Sequence, residues 1–381
     1  MGKLINYILP LLLLLVSCHE SERNRGENNS FSLSGNKYAR LFMLSDSGDY
    51  YRLDIRSPWQ GGDEVIYTYY LTEGKSSLPA DTDSNRIIRI PVTTSVCMST
   101  THVAMISKVG GAEGIVGVSG PDYITNPIVR SGIEAGIVYD VGYGNSINNE
   151  LISSLNPDLV FVYGIGPESA GYVSKLHEAG INTIFICDYL ETHPLARAEW
   201  LKLFGLIYGR KEMALTAFNS ISGSYEKIRN EIAAKIDTRP GVMLGLPFKD
   251  KWFVSPGNSY ISSLISDAGG SYIWSEISSS TSMPLSIESV YLKGLEADYW
   301  LNTGVAESMA ELLSVDHRFR NLPAVQGDKL YNNTGRINSS GGNDYWEGGC
   351  LSPDTILMDI ASILHPGIIK NHKLSYYKKL K

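Results

Sequence analysis

The chain has 381 residues, 43% of them hydrophobic and 19% charged, with a formal net charge of −7. That length exceeds what one hydrophobic core serves, roughly 250–300 residues, and the apolar share excludes a disordered chain. The acidic balance, with Lys and Arg scattered, excludes the basic face that nucleic acid demands.

Lys3 precedes an almost unbroken apolar run over residues 8–16. The run is too short for a membrane span, which needs about 20 residues, and has the size of a signal-peptide core. It ends in Leu15-Val16-Ser17-Cys18, which resembles a bacterial lipobox. The resemblance implies removal of residues 1–17 and lipidation of Cys18, which would hold the protein to a membrane. Residues 18–30 lack apolar periodicity and read as a flexible tether.

Residues 31–85 alternate apolar and polar positions in short runs, such as Tyr50-Tyr51-Arg52-Leu53-Asp54-Ile55, and predict a small β extension. From residue 86 the rhythm changes. Strands are expected at 86–90, 114–118, 158–163 and 183–186, with helices at 101–109, 148–155 and 170–179 between them. This strand–helix alternation defines a first α/β lobe over 86–193. Residues 194–236 contain no Pro after Pro194 and predict a helix to Tyr208, a joint at Gly209, and a long helix from 211 to 236. Ala214, Ala217, Phe218, Ile221 and Tyr225 recur at helical spacing and mark its buried face. A second α/β lobe with its tail follows over 237–381. Its strands are expected at 242–246 and 299–302, and its helices at 260–268, 308–313 and 352–364. The closing Lys378, Lys379 and Lys381 read as a solvated end. The fold class is therefore α/β: two lobes of mostly parallel sheet joined by a long helix, with an N-terminal β extension.

Three cysteines remain beyond Cys18. Cys187 ends an apolar run and reads as a core thiol; a Cys97–Cys350 bridge is open in an oxidising compartment. No C-x-x-C and no zinc spacing of histidines occurs. His102 and His193 sit at helix starts, where capping or packing is the expected role. Gly142-x-Gly144 and Gly164-x-Gly166 do not extend to a nucleotide-binding fingerprint and are expected to permit tight turns.

Two blocks carry a family resemblance. The first is Arg86-Ile-Ile-Arg-Ile through Gly110-Gly111 to Gly114-Ile-Val-Gly-Val. The second is Val141-Gly142-Tyr143-Gly144 followed by Asn149-Glu150-Leu151 and Asn156-Pro157-Asp158. The second lobe repeats the theme in Ser286-Ile287-Glu288-Ser289-Val290 and Leu295-Glu296-Ala297-Asp298. Together they resemble the ferric-siderophore and cobalamin class of ABC-transporter substrate-binding proteins, the class III type with a rigid helical backbone. The N-terminal extension, Asn343-Asp344-Tyr345-Trp346-Glu347, His365-Pro366 and Tyr376-Tyr377 resemble its Bacteroidetes-type lipoprotein branch.

The resemblance implies a monomeric, periplasm-facing binding protein without a cofactor. It would capture an iron chelate (siderophore or haem) or a corrinoid between its lobes and deliver it to an ABC permease and its ATPase. It implies that Glu150 and Glu288, one per lobe, dock on the permease, and that closure on ligand is small. A cargo cleft is expected at the loops after the strand ends, including residues 96–102, 188–193 and 248–252. Within it Tyr143, Tyr189, Trp252, Tyr345 and Trp346 would offer rigid aromatic area with polar handles, and Arg336 a partner for an anionic group. The rival reading is a metal or tetrapyrrole chelatase of similar architecture; no hydrolase elbow or metalloprotease motif is present to support an enzyme.

Overall fold

The computed structural model describes residues 35–74 and 78–381; the apolar leader, Cys18 and the tether lie outside the described residues. Strands Phe42–Asp46, Tyr51–Arg56 and Ile66–Thr72 form an antiparallel meander, with Leu44 opposite Leu53 and Leu53 opposite Tyr69. These residues are buried on one face, and the alternation of the sequence sets the register. A fourth strand, Ile87–Arg89, joins parallel to the third. The sequence places residues 86–90 in the first lobe, but their partner is the extension. A short β-branched run does not reveal which sheet it will join.

Two buried carboxylates fasten this sheet to the lobe behind it. Glu199 accepts backbone N–H bonds from Lys37, Tyr38 and Ala39 at 2.9, 2.7 and 2.8 Å. Glu191 accepts from Arg40 and Leu41, each at 3.0 Å, and from the Trp200 indole at 3.1 Å.

The first lobe holds an all-parallel sheet in the order Tyr139–Asp140, Ile115–Val118, Ser95–Cys97, Leu159–Val162, Thr183–Phe185. Its centre, Ser95–Cys97, is fully buried, although the sequence reads residues 96–102 as a cleft loop. Helices Thr100–Lys108, Asn149–Leu155 and Glu168–Glu178 fall where the apolar periodicity puts them.

Helices Pro194–Glu199 and Leu201–Ile207, interrupted only at Trp200, lead into the 23-residue helix Lys211–Ala233. At 1.5 Å per residue that helix is about 35 Å long. It buries Ala214, Phe218, Ile221 and Tyr225, as the spacing predicts, and packs on both Leu201–Ile207 and the last helix, Pro353–Leu364. Tyr225 donates to Asp267 of the second lobe at 2.6 Å.

The second lobe has the sheet order Ser271–Tyr272, Gly241–Leu244, Tyr299–Leu301, Leu330–Asn332, Lys378–Lys379, parallel except for the last strand. The terminal lysines are thus an edge strand and not a free end: Lys379 pairs with Asp328 and Lys378 with Glu307. A separate hairpin pairs Lys251–Val254 with Met283–Ser286. Among the described residues no helix is long and apolar enough to cross a membrane.

Candidate functional site

Parallel strands aim their C-terminal ends, and the loops that follow, at the gap between the lobes. There the chain encloses a cleft of about 770 Å³. Tyr189 and Leu190 line it from the first lobe, and Arg197 from the helix Pro194–Glu199 that follows. From the second come Gly245, Phe253, Tyr260, the Ser279–Ser280–Thr281–Ser282 run, Asn302 and Asn333. A third wall belongs to the N-terminal sheet, through Trp59, Gln60 and Asp63. The lining is aromatic and uncharged-polar. Arg197 is the one cation among the described lining residues, facing two carboxylates, Asp63 and Glu191.

Arg197 is already half-spent. Its guanidinium meets Asp188 at 3.2 Å and stacks over Tyr260 at 5.0 Å, while its buried Nε has no partner. Burial opposes its charge, but Asp188 raises its pKa above the ordinary guanidinium value. Thr101 holds the other Asp188 oxygen at 3.1 Å. Glu191 is spent on the N-terminal sheet, and burial raises its pKa despite three donors.

The segment after Leu330–Asn332 crosses from the second lobe to the first as a strap. Asn338 donates to Ile124 O at 2.7 Å, and Thr125 Oγ1 to Asp344 at 3.1 Å. The buried Glu347 carboxylate accepts the backbone N–H groups of Thr125 and Asn126 at 2.7 and 2.8 Å. Burial pushes the Glu347 pKa up to about 7, with those donors opposing. The strap carries Asn343 and Trp346 between the main cleft and a smaller chamber of about 430 Å³, lined by Met98, Tyr123, Tyr143 and Tyr163.

The residues expected in the cleft divide accordingly. Tyr189, Tyr345 and Trp346 line the main cleft; Tyr189 donates to Gly164 O, and Tyr345 packs edge-on to Trp346. Tyr143, 55% exposed, lines the smaller chamber with Trp346. Trp252 does not line either space. It is fully buried, donates to Leu244 O at 3.0 Å, and stacks among Trp300 and Phe319. Its neighbour Phe253, 52% exposed, faces the cleft instead, because successive strand residues point to opposite faces. Arg336 also stands off the lining, paired with Asp344 at 3.1 Å and stacked on Tyr376. The sequence misses Trp59, Arg197, Phe253 and Tyr260; only the density of Tyr and Trp hints at them.

Glu150 and Glu288 occupy first turns of helices capped by Asn148 and Ser286, and both are exposed. The N–H of its own residue and Arg318, at 3.4 Å, hold Glu288 below the usual carboxylate range. His102 is fully buried against Phe161 and Phe204, where burial lowers its pKa to about 4. His193 caps its helix, accepting from Leu195 N–H at 3.0 Å. Cys97, Cys187 and Cys350 are free and buried, so the Cys97–Cys350 bridge is not formed. At Gly142, φ is +83° and a Cβ would lie 2.1 Å from Ser146 O: the glycine serves a tight turn. Among the described residues no cluster of His, Cys, Asp or Glu could hold a metal ion.

The periplasmic binding protein family matches residues 96–335, and the chain belongs to that family. An uncharacterized lipoprotein of Methanocaldococcus jannaschii is 26% identical over 307 residues, 78% of this chain and 71% of its own length. A periplasmic haem-binding protein of Pseudomonas aeruginosa shares the fold with a TM-score of 0.59, 18% identity, and coverage of 76% of this chain and 98% of its own. The periplasmic vitamin B12-binding protein of Vibrio cholerae does so with a TM-score of 0.51, 17% identity, and coverage of 72% and 97%. The architecture is that of class III solute-binding proteins of ABC importers. As a member of the periplasmic binding protein family the protein is a binder of a small-molecule ligand outside the cytoplasm and not an enzyme.

Proposed function

We propose that the protein captures a bulky metal chelate of low net charge, a corrinoid or an iron chelate such as haem or a neutral siderophore, and delivers it to an ABC permease. The observation that carries this reading is the cleft lining: aromatic rings and uncharged Ser, Thr and Asn side chains around a single guanidinium already paired with Asp188. A trianionic chelate would need several unpaired cations to replace the water it gives up. A flat ligand rich in apolar edge and amide groups is served by rings and neutral hydrogen-bonding groups. The haem- and vitamin B12-binding proteins that share the fold support the same cargo class.

Glu150 and Glu288 are the proposed permease contacts, giving register and on-rate through complementary charge. Anchoring by a lipid on Cys18 agrees with the lipoprotein name of the Methanocaldococcus relative.

The test follows tryptophan fluorescence during titration with dicyanocobinamide, haemin and a neutral ferric trihydroxamate. Saturable quenching at micromolar or tighter affinity by one of them is expected, with Trp346→Phe removing much of the signal. Flat titrations with all three would remove the reading.

A further inference from the structure

The residues that match the family begin at 96, yet one wall of the cleft comes from before it. Within the connection between strands Tyr51–Arg56 and Ile66–Thr72, the loop at residues 57–63 carries Trp59, Gln60 and Asp63 into the cleft lining. We propose that this loop is a cargo-recognition element, in which Gln60 and Asp63 accept hydrogen bonds from amide N–H groups at the rim of the cargo. The proposal rests on the cleft being the cargo site.

Three observations carry it. First, the loop is rigid. Ser57 N–H donates to Val65 O at 3.0 Å, Val65 N–H to Gly62 O at 2.9 Å and Gly62 N–H to Trp59 O at 3.1 Å. Trp59 itself is 8% exposed, packed edge-on to Phe185 and Tyr67, and its backbone bridges to Gly164 of the first lobe. Gly164 is needed there: a Cβ would come within 3.1 Å of the Trp59 Cβ and 2.9 Å of Ser169 Oγ. Secondly, the sheet behind the loop is fixed by Glu191 and Glu199, so the wall is built before ligand arrives. Thirdly, the two polar side chains on this rigid base are idle. The Gln60 and Asp63 side chains are exposed and have no hydrogen-bond or ion-pair partner among the described residues. A carboxylate is acceptor-only. Facing a lining with one already paired cation, Asp63 suits N–H donors and repels an anionic chelate.

The experiment compares the full chain with the Gln60→Trp/Asp63→Lys variant and with Phe253→Ala on the opposite wall, using dicyanocobinamide, haemin and a neutral ferric trihydroxamate. With dicyanocobinamide, or with a trihydroxamate that carries amide N–H groups, the loop variant is expected to bind at least tenfold more weakly with an unchanged melting temperature; haemin offers no amide N–H, so binding of haemin alone by the wild type would overturn the loop's role. If the loop variant melts early, Gln60→Ala/Asp63→Asn decides, with a threefold or greater loss expected. Wild-type affinity in the loop variant alongside weakened binding in Phe253→Ala would overturn the loop's role and leave the cleft reading standing. No binding of any probe by the wild type would overturn both.

Discussion

A side chain's parity on its strand decides its role in the second lobe. In Lys251–Val254 the burial alternates, placing Trp252 in the core and Phe253 over the cleft. Trp252→Ala should therefore cost about 3–5 kcal/mol of stability, read as a lower urea midpoint. Phe253→Ala should shift that midpoint by under about 1 kcal/mol but weaken chelate binding. Equal loss of stability in both would contradict the assignment. The sequence offers Trp252 as a cleft residue because residues 248–252 read as a loop. The strand exists only by pairing with Met283–Ser286, some thirty positions on, and no local pattern announces that partner. By contrast Glu150 and Glu288 are legible as first-turn acids, each after an Asn or Ser cap. For these two, Glu150→Ala/Glu288→Ala should abolish chelate uptake by cells while the purified protein keeps its affinity within about twofold. A collapse of affinity would place the two acids at the cargo instead of the permease.

At the level of elements, the strap gives the two lobes a second connection besides the helix Lys211–Ala233. Its pH response follows from Glu347. The folded-state pKa of about 7 lies above the ordinary 4.5, so the folded protein holds a proton that the unfolded chain releases. The associated stability is fully present below about pH 4.5 and is lost as pH rises through about 7. Burial is the cause, with the nearby Asp344 carboxylate adding to it. The urea midpoint of the wild type should fall from pH 5 to pH 8, and Glu347→Gln should flatten that fall. An unchanged slope in the variant would show that Glu347 does not titrate in this range. The strap was only partly legible. Tyr345 and Trp346 mark the segment as aromatic, but Glu347 meets Thr125 across 222 positions of sequence, a contact no spacing rule reaches.

For the whole molecule, strand–helix alternation and one uninterrupted helical periodicity made the two lobes and their joint readable, because those signals are local. What stayed hidden is how pieces from outside the family's span, the loop at 57–63 and the strap, converge to wall the cleft. Their placement depends on long-range bonds to Gly164, Glu191, Glu199 and Thr125. Of these, the bonds of the strap, together with the helix Lys211–Ala233, join one lobe to the other, whereas those to Gly164, Glu191 and Glu199 hold the N-terminal sheet on the first lobe. A cleft whose one cation is already paired with Asp188 should select cargo of low net charge. Affinities for dicyanocobinamide, haemin, a neutral ferric trihydroxamate and a trianionic ferric tris-catecholate, measured at two ionic strengths, read this selection out. Micromolar or tighter binding of one of the first three is expected, with little change between low and high salt because few ion pairs form. Tight binding of the tris-catecholate alone, weakening steeply with salt, would contradict it.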